Sequence, residues 1–224
     1  DTNIYKNPSN NYARNKIFSE KVSNAVNIFI AENTGPNSGQ GTTLAYYSPS
    51  GDYIVSRIAD VTDNSTLAHE LGHFFNLPHT HRGWDGEPWN EEDHGNPVTD
   101  IRTRSGVLVE LQDRSNCDEA GDTFCDTNAD YNFGLTNNNV CGFTREVLDR
   151  NGERLTPDED NLMGYFLGCD DFQISDAQNA VILADMQTPR RQNMLTNSDL
   201  ETEYPSNTYT FDNGFQSGGT IPFG

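Results

Sequence analysis

Four of this chain's five histidines fall between Thr66 and His81, in the run TLAHELGHFFNLPHTH. His69 and His73 are four residues apart, so a helix places them one turn apart on one face, with about 5–6 Å between Cβ atoms. Two imidazoles can then reach a single ion. Glu70 follows the first of them. At that offset a carboxylate is turned away from ligation but can reach a water on the same metal, which is where a general base is needed. His79 offers a third ligand if the helix stops in time, because a catalytic zinc takes three protein ligands and keeps one position open. Asn76 tolerates the left-handed conformation that ends a helix, and Pro78 prevents the helix from resuming. His81 and His94 are surplus to a complete set and are expected to be surface or structural residues.

The run HELGHFFNLPHTH resembles the elongated zinc-binding motif of the metzincin endopeptidases, and within that clan it is most similar to the pappalysin family. That family usually has Gly where this chain has Asn76. The resemblance implies zinc held by His69, His73 and His79, with Glu70 as the catalytic base. Asn161-Leu162-Met163-Gly164-Tyr165 resembles the Met-turn, which implies Met163 as an apolar floor beneath the metal and Tyr165 as a partner of the developing oxyanion. The stretch GDTFCDTN resembles the family's calcium loop. By position it implies a calcium ion held by the side chain of Asp122 and the carbonyls of Gly121, Cys125 and Thr127, with Asn128 in place of the usual Pro. Several such enzymes cleave before Arg by means of an acidic residue ahead of the cysteine after the Met-turn. Here Gly168 precedes Cys169, so only Asp170 and Asp171 are left to supply that charge.

Other parts of the chain must position these residues. Ala25 to Ala31 is apolar and partly β-branched, and reads as a buried strand. After a Gly- and Pro-containing loop over 35–41, Thr42 to Tyr47 and Tyr53 to Ile58 read as two strands around the turn Pro49-Ser50-Gly51-Asp52. Asn64, Ser65 and Thr66 offer N-caps to the histidine helix, whose Leu67, Leu71, Phe74 and Phe75 are free to face a core. The resemblance implies a long backing helix ahead of the strands, and only a weak helical or extended signal occurs there, over Lys16 to Val22. Gly83 to Thr156 reads as loop with a strand at Val107 to Leu111. So long a stretch requires pinning by metal or disulfides, and the acidic run Asp118, Asp122, Asp126 and Asp130 offers oxygens of the kind calcium takes. Ser175 and Gln178 form a capping box for a helix to Gln187, with Ile174, Ala177, Val181 and Ala184 on its apolar face. That helix is expected to be the terminal one, packed beneath Met163.

The chain has 224 residues and a net charge of −20, from 34 acidic and 14 basic side chains. Such an excess repels nucleic acid and anionic membranes and suits calcium or basic peptide segments. Cys117, Cys125, Cys141 and Cys169 show no CxxC spacing, so two disulfides in an oxidising compartment are favoured over a second zinc. Of three possible pairings, Cys117 with Cys141 and Cys125 with Cys169 is the expected one. No stretch approaches a membrane span and no signal peptide begins at Asp1, so the chain reads as a mature or trimmed secreted fragment.

These observations predict an α/β (α+β) zincin-like domain over 1–195, with an upper part to about residue 79 and a lower part from about 80. A polar arm or linker follows over 196–224. The upper part would be a small twisted mixed sheet with the active-site helix, and the lower part irregular, carrying the Met-turn and the terminal helix. The expected activity is that of a secreted, monomeric zinc endopeptidase acting on protein or peptide substrates, with structural calcium. One alternative is a non-catalytic zinc-containing binding module, against which Glu70 argues, since a structural site has no use for a positioned base. The other is a zinc peptidase with a glutamate as third ligand, against which His79 and Met163 argue.

Overall fold

The computed structural model describes residues 11–34, 43–62 and 65–195. The loop over 35–41, the cap offered by Asn64 and the arm over 196–224 lie outside the described residues. Helix α1 (Asn11–Glu20) is followed by strands β1 (Ile28–Ala31), β2 (Ala45–Ser48) and β3 (Tyr53–Arg57), and then by helix α2 (Thr66–Phe74). The sheet order is β1-β3-β2, with β1 parallel to β3 (Ile28 opposite Ile54) and β2 antiparallel to it (Tyr46 opposite Val55). β2 and β3 are joined by the turn the sequence indicates, where the Asp52 amide donates to the Ser48 carbonyl at 2.7 Å.

Alternation along the strands divides the sheet into two faces. Tyr53 and Val55, with Phe29 and Ala31, pack with Ile17 of α1. On the opposite face α2 lies against β2 and β3, with Tyr47 edge-to-face on Phe74 at 5.9 Å. A helix therefore does precede the strands. Its signal is weak because only Ile17 is buried among the described side chains of α1, while the adjacent Phe18 is 57% exposed. β1 is an edge strand, and this corrects the expectation of a buried one: Ile28 and Ile30 point outward, 38% and 39% exposed.

The second half has little regular structure but a large core. Trp84, Trp89, Val98, Val109, Tyr131, Phe133 and Phe166 form one buried cluster. Between Gly83 and Thr156 the only regular elements are α3 (Glu91–His94) and α4 (Phe133–Thr136). Val107 to Leu111 is not a strand, since Leu108 makes only isolated bridges to Arg102 and Ala120. Side chains substitute for a ladder there: Asp149, fully buried, accepts from the amides of Gln112, Asn151 and Glu153, tying two loops together. The disulfides are Cys117–Cys125 and Cys141–Cys169, which overturns the expected pairing. Cys117–Cys125 closes a local loop across a separation of 8 residues, whereas Cys141–Cys169, 28 residues apart, ties Cys141 to the segment that follows Met163.

Helix α5 (Asp176–Met186) begins with the capping box, in which both Ser175–Gln178 bonds are present. It does not dock through an apolar face, since Ala184 is exposed and Gln178 is the residue fully buried. The Gln178 carboxamide pairs with that of Asn161, which donates to it at 3.0 Å. Nor is α5 terminal. Pro189, with its fixed φ and missing N–H, starts helix α6 (Pro189–Leu195). No helix among the described residues is long and apolar enough to cross a membrane.

Candidate active site

Helix α2 presents His69, Glu70 and His73, and then ends abruptly. Asn76 takes φ 68°, the left-handed conformation. The Leu77 amide donates to the Gly72 carbonyl at 2.9 Å and the Asn76 amide to His73 at 3.0 Å. That bond pair is a Schellman motif, and it turns the chain back toward the helix. Asn76 thus does what glycine would do, and its carboxamide adds a bond that glycine cannot make, donating to Asp185 on α5 at 2.7 Å. Ser65 occupies the N-cap position without a side-chain capping bond.

The reversal brings His79 to the other two histidines. Its Nε2 lies 2.9 Å from Nε2 of His73 and 3.1 Å from Nε2 of His69. Three nitrogens bound tetrahedrally at about 2.0–2.1 Å would stand roughly 3.3 Å apart, so the spacing is close to that of a zinc site. The other ring nitrogens all face acceptors: Nδ1 of His69 the Leu162 carbonyl at 2.7 Å, Nδ1 of His73 the Leu77 carbonyl at 2.7 Å, and Nδ1 of His79 the Asp85 carboxylate at 2.5 Å. With the protons on Nδ1, all three Nε2 lone pairs converge on one point. That is a donor set in need of a cation. Burial, above all, lowers the pKa of each ring, that of His79 to about 4 against the opposing pull of Asp85, so the imidazoles are neutral and able to ligate.

Glu70 is buried, and its carboxylate accepts a hydrogen bond from the Tyr47 amide of β2. Burial pushes its pKa up to about 7 in spite of that bond. Tyr165 lies with its ring centroid 4.8 Å from that of His79. Burial first, then the charges of Asp85 and Glu70, push its phenol up to about 12, so it remains an O–H donor. Met163 is fully buried, and its sulfur lies against the backbone of Gly72. Its amide donates to Asn161 Oδ1 at 2.9 Å, and its carbonyl accepts from the Thr80 amide at 3.2 Å.

His81 is fully buried, not a surface residue, and stacks on His79 at 4.6 Å. His94 is also buried, and its Nδ1 lies 2.9 Å from Asp100. Asp85 was overlooked in the sequence, although a carboxylate six residues after a candidate ligand is the kind of group that orients an imidazole. Arg191 was overlooked as well. It is 3% exposed, pairs with Asp185 at 2.7 Å, donates to the Phe74 carbonyl and covers the Phe74 ring at 3.5 Å.

The acidic run divides among several tasks. Asp126 accepts from Ser175 Oγ and the Ala177 amide at the start of α5, both at 2.8 Å. Asp130 accepts from Thr80 Oγ1 and the Phe133 amide, each at 3.0 Å. Asp118 is exposed. Asp122 alone stays in the loop's interior, where it accepts from the Phe124 amide at 2.9 Å and from the Thr127 hydroxyl. Glu110, distant in sequence, enters beside it against Gly121. Neither of its carboxylate oxygens has a hydrogen-bond partner, and the residue is 2% exposed.

The histidines lie on the wall of a cleft of about 670 Å³, bounded on one side by 43–47 of β2 and its approach and on the other by residues around 135–139 and 162–172. Comparison with curated proteins and with solved structures returned no match to this chain. The family model described as pregnancy-associated plasma protein-A matches residues 9–175, from α1 through the histidine helix and the cleft to the threshold of α5. By that match over most of its length, the chain belongs to the pappalysin family of metzincin zinc peptidases.

Proposed function

We propose that this protein is a secreted zinc-dependent endopeptidase, with residues 1–195 as its catalytic unit. The observation that carries the reading is the convergence of three neutral imidazole lone pairs, from His69, His73 and His79, beside the buried carboxylate of Glu70 in an open cleft. Bound to those nitrogens, zinc supplies Lewis acidity, which lowers the pKa of a water and polarises the scissile carbonyl. Glu70 takes the proton of the attacking water and passes it to the leaving amine. Its raised pKa brings the carboxyl near neutrality, where one group can both accept and return a proton. The Tyr165 hydroxyl donates to the carbonyl oxygen as negative charge develops there. Met163 fills the space under α2 and keeps the helix from settling, and Asp85 fixes the ring of His79. Among the described residues β2 is the edge of its sheet and borders the cleft, so its backbone suits an extended substrate laid alongside it.

Calcium belongs to the same reading as a structural ion. Glu110 and Asp122 are buried together, and burial pushes their pKa values up, to about 9 and about 7, for Glu110 in spite of the opposing charge of Arg114. Carboxylate oxygens and the carbonyls of Gly121, Cys125 and Thr127 are the hard donors calcium takes, and the Cys117–Cys125 disulfide holds the loop. The two disulfides, with no membrane-spanning helix among the described residues, are in keeping with secretion.

The test is hydrolysis of denatured casein by wild type and Glu70→Ala, each with and without a chelator. Chelation should abolish wild-type activity, and Glu70→Ala should lose roughly 10²–10⁴-fold with its zinc retained. Equal activity in the two proteins would remove the mechanism. An inactive wild type with zinc bound would make the protein a binding module.

A further inference from the structure

The chemistry of the cleft wall points to a substrate class. Among the described residues lining the cleft, the only carboxylates are Glu70 and Asp85. Both are committed to the histidine site, Asp85 accepting from His79 at 2.5 Å and from the Gly83 amide at 3.0 Å. Asp170 and Asp171, the residues available to attract a basic side chain, are exposed and do not line the cleft. In their place the wall beyond Tyr165 presents Leu135, Leu162, Leu167 and Phe172. Leu167 is 37% exposed at this border, and Leu135 and Phe172 are half-buried.

That wall is built to keep its shape. The Asn139 carboxamide donates to the Tyr165 carbonyl at 2.7 Å, and the Leu167 amide donates to the Asn139 carbonyl at 2.9 Å. The Cys141–Cys169 disulfide closes the same two segments just beyond. At Gly134, where α4 meets this segment, the two backbones touch so closely that a Cβ would overlap Tyr165. The apolar lining is thus held at three points, the last of them at Cys169, immediately before Asp170 and Asp171.

We propose that this peptidase selects substrates with an uncharged apolar side chain, of leucine, methionine or phenylalanine type, beside the scissile bond. Leu135, Leu167 and Phe172 read that side chain, and arginine and lysine are disfavoured there. The inference rests on the peptidase reading above. An apolar side chain entering the wall sheds water from both surfaces, whereas a guanidinium would lose its hydration with no carboxylate in place to receive it. The net charge of −20 does not reverse this. Exposed charges act over roughly 8–10 Å at physiological salt, so they draw basic segments to the surface without deciding which side chain fills a pocket.

The test has two readouts. Wild-type protein is given a peptide library and the cleavage sites are read by mass spectrometry. Leu, Met or Phe should exceed Arg and Lys at a position flanking the cut by about tenfold or more. Separately, Glu70→Ala is titrated with fluorescent peptides differing only in Leu or Arg at that position, and the Leu peptide should bind about tenfold tighter without turnover. Leu167→Asp, at the exposed border, should shift both readouts toward Arg, and Leu135→Asp should do so from the neighbouring segment of the same wall. Enrichment of Arg or Lys by wild type, or equal binding of the two peptides, overturns the proposal. Leu-selective binding with no cleavage by zinc-loaded wild type leaves the pocket's selectivity standing and removes the peptidase reading.

Discussion

Met163 occupies the space that a side chain at Gly72 would need, so a Cβ at position 72 would overlap the methionine sulfur. The contact joins the middle of the histidine helix to a turn some ninety residues away, and it makes Gly72 and Met163 one packing unit. In Gly72→Ala two effects compete. Better helix propensity contributes about 1 kcal/mol, and overpacking costs about 1–3 kcal/mol. Overpacking should win, since the sulfur has a fully buried floor behind it. Urea unfolding should show a net loss of up to about 2 kcal/mol, and Met163→Ala combined with Gly72→Ala should cost less than the sum of the two. Strict additivity would show that the contact does not couple them.

Asp85 orients the ring of His79 through its Nδ1. Replacing it by Asn keeps the shape and removes the charge, so zinc affinity should fall about 10–100-fold in a chelator competition. The thermal midpoint of the metal-free protein should change little, because about half of the Asp85 side chain is exposed. An unchanged affinity would mean that His79 is held by packing alone.

Glu110 and Asp122 set a pH dependence. Their folded-state pKa values, about 9 and about 7, lie above the ordinary carboxylate values of 4.5 and 3.8. Between those limits the folded chain holds protons that the unfolded chain has released. The stability these two groups contribute to the metal-free protein should therefore be full below about pH 4 and decline as pH rises through 7 toward 9, at up to about 1.4 kcal/mol per unit for each group. Calcium should abolish the decline, and Glu110→Gln should remove the part that Glu110 contributes. Thermal midpoints measured from pH 5 to 9, with and without calcium, read this directly. A decline toward pH 9 no smaller in Glu110→Gln than in wild type would refute it.

Arg191 sits at a junction of α6, α5, the end of α2 and the β2–β3 turn, with Asp52 3.4 Å from its guanidinium. Arg191→Met should cost about 3–5 kcal/mol in urea unfolding, because it leaves Asp185, whose side chain is only 11% exposed, without its cation. Asp185→Asn combined with Arg191→Met should recover part of that loss. A single-variant cost below about 1 kcal/mol would show that the junction is dispensable.

Several features of the fold are legible in the sequence because they are local. The β2–β3 turn, the capping box at Ser175 and the left-handed Asn76 each depend on residues within a few positions of one another. α1 is nearly invisible because it buries one side chain, Ile17, among those described. The core around Trp84, Tyr131 and Phe133 was missed because its residues follow neither helical nor strand spacing.

The sequence by itself determined the family, the residue types at the histidine site and the helix ending that brings His79 back, since those follow from spacing and turn chemistry over a dozen residues. Only the tertiary structure decided the disulfide pairing, the meeting of Glu110 with Asp122, the contact of Met163 with Gly72 and the apolar wall of the cleft. Each of these depends on the path of the chain from 83 to 172, where side-chain hydrogen bonds and a dispersed aromatic core replace regular structure. No periodicity records which distant residues such a path brings together.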